Sequence, residues 1–193
     1  MPVFFWNDVN KQRYRESYFE MYPGIWRHGD WIKITKNNGV IVLGRSDATL
    51  NRGGVRIGTS EVYSALTVVP EIKDSLIVCI EKSGGEFWMP LFVVMQDGVP
   101  LTDAIKKKVN SSLRSAYSPR HVPDDIIAVP DIPYTLSGKK SEMPVKKILL
   151  GIDPSSAVNH GVLRNPESLN FFITLARTHN TPNFEPFARQ PPG

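Results

Sequence analysis

The chain has 193 residues, 41% of them hydrophobic and 22% charged, with a formal charge of +4 and a pI near 9.2. This is the composition of a soluble globular protein, outside the disordered class, long enough for one ordinary domain with about 40 residues to spare. The basic excess is mild and dispersed; its densest run, Lys106-Lys107-Lys108, follows Asp103. That argues against a nucleic-acid footprint and suits an anionic small ligand.

The opening "MPVFFWNDVNKQRYRE" has a short apolar cluster with charges directly behind it, so it does not read as a signal peptide. No apolar run approaches the ~20 residues of a membrane span. Residues 31–44, "WIKITKNNGVIVLG", read as a hairpin turning at Asn37-Asn38-Gly39. A polar, glycine-rich loop follows, and Ser60 is placed to cap a short helix that Pro70 ends. "DSLIVCI" and "EFWMPLFVVMQ" are two strands separated by Gly84-Gly85. The single cysteine, Cys79, lies in the first of them and reads as a buried, inert thiol. It excludes an internal disulfide and fits a reducing compartment, so the expected location is cytoplasmic.

Leu101, Ile105, Val109 and Leu113 recur at four-residue spacing and predict a helix over "LTDAIKKKVNSSLRSAY". "DDIIAV" is a short strand, and "PVKKILLG" makes a last helical turn or two stopping at Gly151. Beyond it, "NPESLNFFITLAR" is set up as a helix with Asn165 at the cap and Pro166 at the first position. The proline-rich end is expected to stay flexible. Strands and helices in this irregular order predict a small α+β domain. Residues 1–46 hold Phe4, Phe5, Trp6, Trp26 and Trp31, more aromatic surface than one hairpin and a short helix can enclose.

Between two hydrophobic segments stands "DIPYTLSGKKSE". Its Gly138-Lys139 pair resembles a phosphate-binding loop only superficially. The position five before Gly138 is Pro133, and Lys139 is followed by a second lysine in place of Ser or Thr. The motif belongs instead to an ordered series: "RHGDW" at 27–31, "GRSD" at 44–47, "RGGVRIGTSE" at 52–61 and "PYTLSGK" at 133–139. Each is weak alone. A Gly-Asp pair is most often a turn, and Gly53-Gly54 could serve positive φ angles only.

In this order and spacing the motifs resemble the C-terminal part of the acyl-adenylate-forming superfamily, and within it the acetoacetyl-CoA synthetases. The similarity runs from residue 3 to about 178. It implies a small mobile C-terminal lid domain over 47–152, preceded in 1–46 by a hairpin edge of a large N-terminal adenylation domain. Residues 153–193 are then a terminal helix and tail. The implied activity is an AMP-forming acid–thiol ligase. The acid, acetoacetate or a similar short one, reacts with ATP as its magnesium complex to give acyl-AMP, and the acyl group then passes to coenzyme A.

By the same resemblance Lys139 is the catalytic cation that bridges carboxylate and α-phosphate, while Lys140 beyond it is expected to be solvated. Asp30 matches the carboxylate that accepts hydrogen bonds from both ribose hydroxyls, and Arg45 a second ribose contact. Asp47 matches the hinge of the lid. Gly54 matches the point where the pantetheine arm passes bare backbone, Arg56 an arginine near the α-phosphate or coenzyme, and Arg114 a contact to the coenzyme's phosphates. Arg114 reads equally well as a helix-surface charge. Many relatives place arginines where this chain has "SEMPVKK", leaving Lys146 and Lys147 as approximate substitutes. The acid pocket, adenine site and pyrophosphate loop are expected to precede Met1, so the isolated chain is expected to be inactive. The competing expectation is a stand-alone interaction module that kept the lid fold without the chemistry. Neither nucleic acid nor membrane is expected as a partner, and no His, Cys or acidic cluster has metal-ligand spacing.

Overall fold

A computed structural model describes residues 2–46, 49–52, 54–81 and 85–178, with the side chains of 43–45 and 160 excepted. The chain divides into two compact units, Met1–Ser46 and Asp47–Gly193.

In the first unit, helix α1 (Gln12–Tyr18) follows a 3-10 turn at Val9–Lys11. The Asp8 carboxylate accepts the backbone N–H of Arg13 at 2.9 Å and of Tyr14 at 2.8 Å. It thereby satisfies donors that a helix start leaves without partners. Phe5 and Tyr18 both meet Tyr14 edge-on, with centroids 5.7 and 5.3 Å away. The predicted hairpin forms from β1 (Asp30–Ile34) and β2 (Val40–Arg45). Asn38 takes the left-handed turn position at φ 58°, and the Thr35 hydroxyl accepts the N–H of Gly39. Trp6, Ile34 and Val42 stay 88, 67 and 59% exposed. The unit leaves much of its apolar surface uncovered, as its small size requires.

The second unit begins with a hairpin of β3 (Leu50–Arg52) and β4 (Val55–Ile57) and passes into α2 (Thr59–Leu66). This helix starts before the expected Ser60. Gly58 is its N-cap, and the Glu61 carboxylate reaches back to accept the Gly58 N–H at 3.1 Å. Each of the two predicted long strands is broken in two, giving β5 (Ile72–Ile77), β6 (Ile80–Glu81), β7 (Phe87–Trp88) and β8 (Pro90–Met95). Helix α3 (Asp103–Ala116), capped by the Thr102 hydroxyl, and β9 (Asp125–Ala128) come next. The chain then forms α4 (Glu142–Leu149), a turn of helix α5 (Pro154–Ala157) and α6 (Leu169–Thr178). Gly151 carries the positive φ, 81°, of a helix stop.

The central sheet has the order β5-β8-β9, with β5 antiparallel and β9 parallel to β8. Alternation along its strands sends side chains to opposite faces. Ile77, Leu91 and Val93 join Val62, Leu66, Val109 and Leu113 in one core, under α2 and α3. Leu76 and Phe92 join Val145, Ile148, Leu169 and Phe172 in a second, under α4 and α6. The spacing that predicts α3 is realised, with Ile105, Val109 and Leu113 all buried. The α+β expectation is met, and the sheet is covered on both faces. Cys79 is 2% exposed, and its thiol donates to the Asn51 carbonyl. Among the described residues no helix is long and apolar enough to cross a membrane.

Candidate active site

Residues 133–141 form a small hairpin. Tyr134 bridges Lys140, the N–H of Thr135 donates to the Lys139 carbonyl at 2.8 Å, and the N–H of Ser141 to the Pro133 carbonyl at 2.9 Å. Gly138 turns the tip at φ +78°, a conformation that L side chains adopt at a cost of about 1–2 kcal/mol. The Thr135 hydroxyl closes the turn by accepting the N–H of Lys139 at 3.0 Å. Lys139 itself is exposed.

Lys140 overturns the sequence expectation of a solvated charge. Its side chain is only 21% exposed and its ammonium lies 2.7 Å from the Asp74 carboxylate. It also donates to the Ser75 carbonyl and sits 4.1 Å from the centroid of the Tyr63 ring. The physical reason is the hairpin itself: successive side chains point to opposite sides of an extended strand, so one lysine faces out and the next faces in. β5 is an edge of the sheet, and an edge presents unpaired backbone groups. Lys140 takes the Ser75 carbonyl on that edge, and the Tyr63 hydroxyl accepts the N–H of Ile77 at 3.3 Å.

The first limb of the hairpin is bound on its other side by residues 162–165. Thr135 bridges Leu163, the N–H of Leu136 donates to the Val162 carbonyl at 2.9 Å, and the N–H of Arg164 to the Tyr134 carbonyl at 2.8 Å. Asn165, expected as a helix cap, makes no side-chain cap bond. Its amide oxygen accepts the Tyr134 N–H at 2.9 Å, and its amide nitrogen donates to the Ile132 carbonyl at 2.8 Å and to the Asp131 carboxylate. The helix it was expected to cap starts later, after a 3-10 turn at Pro166–Ser168.

Burial pushes the Tyr63 phenol well above its ordinary value, and the Glu142 carboxylate that accepts its hydroxyl at 3.0 Å adds to the effect. Tyr134 is raised too, chiefly by desolvation and then by its hydrogen bond to Asp74. Both phenols therefore stay neutral hydrogen-bond donors, Tyr63 against Lys140 and Tyr134 on the first limb of the hairpin itself.

Gly54 turns the β3–β4 hairpin at φ +81°, and a Cβ placed there would meet no atom within 4 Å. The Asn51 amide oxygen accepts its N–H at 3.2 Å. Arg56 is exposed on β4 and Arg114 is exposed in the last turn of α3. The segments next to these two elements are tied together: β3 and the start of α2 both bond to the stretch that follows α3. Arg52 donates to the Val122 carbonyl and pairs with Asp124. His121 spans Glu61 at 3.3 Å and the Ser118 hydroxyl at 2.9 Å, stacked on Tyr117. Gly54, Arg56 and Arg114 thus stand on elements that pack around the first core, whereas Lys139 stands on a hairpin whose Tyr134, with Ile132 just before it, packs in the second.

In the first unit, Asp30 and Arg45 are register partners across β1 and β2, although fourteen residues separate them in the chain. The ends of "RHGDW" and "GRS" are pinned by the Arg27 guanidinium on the Ser46 hydroxyl, 2.9 Å, and by the Ser46 N–H on the Gly29 carbonyl, 2.8 Å. The Asp30 carboxylate lies 2.8 Å from His28 Nδ1. A carboxylate offers the two acceptor oxygens that a ribose diol requires. Asp47 lies outside the described residues, as does the side chain of Arg45.

Sequence reasoning missed Asp74 and Tyr63 and the anchoring roles of Lys140 and Asn165. Strand alternation was available to separate the two lysines; nothing in the sequence pointed from Asn165 to a loop thirty residues earlier.

No family model matches the chain. Acetoacetyl-CoA synthetase of Caenorhabditis elegans is 46% identical over 175 residues, 90% of this chain and 25% of that protein. Its counterpart in Danio rerio is 42% identical over 180 residues, 93% of this chain and 26% of that protein. The solved acetoacetyl-CoA synthetase from Streptomyces lividans superposes with a TM-score of 0.85 at 48% identity, covering 93% of this chain and 27% of that one. Anthranilate CoA ligase AuaEII in complex with anthranoyl-AMP, with a TM-score of 0.63 at 17% identity, shares the fold over 81% of this chain and 29% of its own. The chain spans about a quarter of the length of the curated relatives it matches. Its relatives at 40–46% identity along nine-tenths of its length are acetoacetyl-CoA synthetases, and its fold matches the C-terminal portion of adenylate-forming enzymes.

Proposed function

We propose that this chain supplies the C-terminal part of an AMP-forming ligase that joins acetoacetate, or a similar short acid, to coenzyme A. In the first half-reaction the acid's carboxylate oxygen attacks the α-phosphorus of ATP, and the bond to the departing pyrophosphate breaks. In the second, the coenzyme's sulfur attacks the acyl carbon and AMP leaves. Two anions meet in the first step, so a fixed cation between them stabilises the charge that develops. Lys139 is that cation, a compact point charge at a hairpin tip. Asp30 holds the ribose hydroxyls with Arg45 beside it. Magnesium, in this reading, enters with ATP.

Residues 1–46 are assigned to the edge of a larger adenylation domain and residues 47–152 to a mobile lid, with Asp47 as the hinge and 153–193 as a terminal helix and tail. The lid presents Lys139 for the first half-reaction and Gly54, Arg56 and Arg114 for the second. Gly54 offers the pantetheine arm bare backbone with open space above it, and the two arginines supply charge for the coenzyme's phosphates. Attachment of the two sets to different cores of one unit supports such an alternation.

The observation that carries this reading is the exposed Lys139 on a doubly braced hairpin, in a chain 48% identical to the Streptomyces lividans acetoacetyl-CoA synthetase. The test replaces the matching C-terminal part of that enzyme with this chain. The graft should form acetoacetyl-CoA from acetoacetate, ATP and coenzyme A, and the 193-residue chain alone should not. A folded graft without turnover, or steady turnover by the isolated chain, overturns the proposal. The interaction-module alternative, which the exposed apolar side chains of the first unit would also serve, predicts the inactive graft.

A further inference from the structure

Lys140 stands half-buried on the same hairpin as Lys139, and no step of the proposed reaction uses it. Its ammonium makes three contacts at once, with the Asp74 carboxylate, the Ser75 carbonyl and the Tyr63 ring. Asp74 is also the acceptor for the Tyr134 hydroxyl. Tyr134 and Lys140 are bridge partners on the two limbs of the hairpin. One carboxylate on the sheet edge therefore grips both limbs, directly opposite each other and immediately before the tip.

We propose that Lys140 is a positioning residue for adenylation: its pairing with Asp74, together with the Tyr134–Asp74 hydrogen bond, locks the two limbs of the hairpin onto β5 and so fixes where Lys139 projects.

This inference rests on the assignment of Lys139 as the bridging cation. A long, flexible lysine side chain stabilises a transition state only if its Cα is held, and a shift of about 1 Å in a positioned group can cost up to ~100-fold in rate. The alternation of the strand makes the two lysines a unit, since anchoring the inward one sets the outward one. Arrangement on an edge strand adds rigidity, because Lys140 and Tyr63 occupy backbone groups that water would otherwise solvate. On the far limb, Asn165 closes the same brace by holding the Tyr134 N–H.

The experiment uses a full-length ligase carrying this chain as its C-terminal part, and measures the half-reactions separately. Lys140→Met should lower the adenylation kcat roughly tenfold to a hundredfold, within the range for a misplaced group. The KM values for ATP and acetoacetate should stay within about twofold, and thioester formation from supplied acetoacetyl-AMP should be spared. Lys140→Arg, which keeps the cation, should recover most of the loss. A purely structural role would instead depress both half-reactions together, in step with the melting temperature, and that result overturns the proposal. An adenylation kcat within twofold of the parent overturns it as well. Should Lys140→Met fail to fold, Asp74→Asn decides the matter by the same split, since it removes the charge and keeps the shape. Lys139→Ala in the same ligase separates the two readings. If it leaves adenylation intact, the assignment of Lys139 fails and this inference with it; if it abolishes adenylation while Lys140→Met does not, only the positioning role fails.

Discussion

Lys139 and Lys140 are neighbours in the chain with opposite surroundings: the first is exposed at the hairpin tip, the second lies 2.7 Å from Asp74 with four-fifths of its side chain covered. The difference predicts opposite consequences for the same substitution. Lys139→Ala should leave the melting temperature within a degree or so, because an exposed side chain away from special features changes stability by less than about 0.5 kcal/mol. In a full-length ligase it should slow adenylate formation by ~10² to 10³, the roughly 3–4 kcal/mol typical of a lost transition-state charge contact. Thioester formation from supplied acyl-AMP should continue at near the parental rate. Equal damage to both half-reactions would remove the role given to this lysine.

Gly54 makes the complementary prediction. Its φ of +81° strains any L residue, yet its Cβ direction meets nothing within 4 Å. Ala and Leu at this position therefore share one backbone cost, about 1–2 kcal/mol of stability, and differ only in what they put into the open space. If the pantetheine arm passes there, Gly54→Leu should slow the coenzyme step far more than Gly54→Ala, with adenylation unchanged in both. Pyrophosphate release and thioester formation, followed separately, make the comparison. Identical effects of Ala and Leu on the coenzyme step would mean that the arm takes another path.

How much of this was legible in the sequence depended on whether the causes were local. The periodic apolar positions Ile105, Val109 and Leu113 specify α3 because a helix face repeats within one segment. The hairpin turn at Asn37 to Gly39 is likewise written in its own residues. Within the candidate site, the motif spacing located the Lys139 loop and the Gly54 turn. Its supports were hidden because they come from far along the chain: Asp74 and Tyr63 from the first half, Asn165 from beyond α5. Asn165 also competes for two jobs. Its amide serves the remote Tyr134 backbone, so the local capping signal was overridden by tertiary hydrogen bonds. The long strands "DSLIVCI" and "EFWMPLFVVMQ" each looked continuous because the chain leaves the central sheet without losing its apolar character.

The phenols of Tyr63 and Tyr134 give a pH signature. Tyr63 is raised by burial and then by Glu142, Tyr134 by burial and then by Asp74. Above the unfolded tyrosine value of about 10, the folded protein keeps protons that the unfolded chain releases. Their contribution is therefore fully present below that pH and is lost as the pH rises through the folded values. Phenolate absorbance of the native protein should show a late-titrating fraction that the Tyr63→Phe, Tyr134→Phe double variant lacks. The urea midpoint should fall with rising pH above about 10, and fall less steeply in the double variant. A native titration that superposes on the unfolded one would contradict the buried placement of these rings.

The sequence alone set residues 153–193 apart from the lid, and the packing of α6 leads to a different expectation for stability. Phe172 is fully buried and meets Phe92 of the central strand edge-on, with centroids 4.9 Å apart at 85°. Leu169, one turn earlier, is fully buried in the same core, as are Val145 and Ile148 of α4. Removing a buried phenyl ring typically costs about 3–5 kcal/mol through lost transfer energy and the cavity left behind. That is a large share of the ~5–15 kcal/mol that holds an ordinary domain. Phe172→Ala should therefore lower the urea midpoint strongly, while Phe171→Ala, at a half-buried position on the same helix, should cost clearly less. The loss has a functional corollary, because only the 3-10 turn at Pro166–Ser168 separates α6 from the Val162–Asn165 segment that braces the Lys139 hairpin. In Phe172→Ala, amide exchange at Leu136 and Tyr134 should accelerate along with that of α6, since their hydrogen bonds go to Val162 and Asn165. If α6 exchanges freely while those two amides stay protected, helix and hairpin are independent, and the C-terminal segment braces the lysine without the helix behind it.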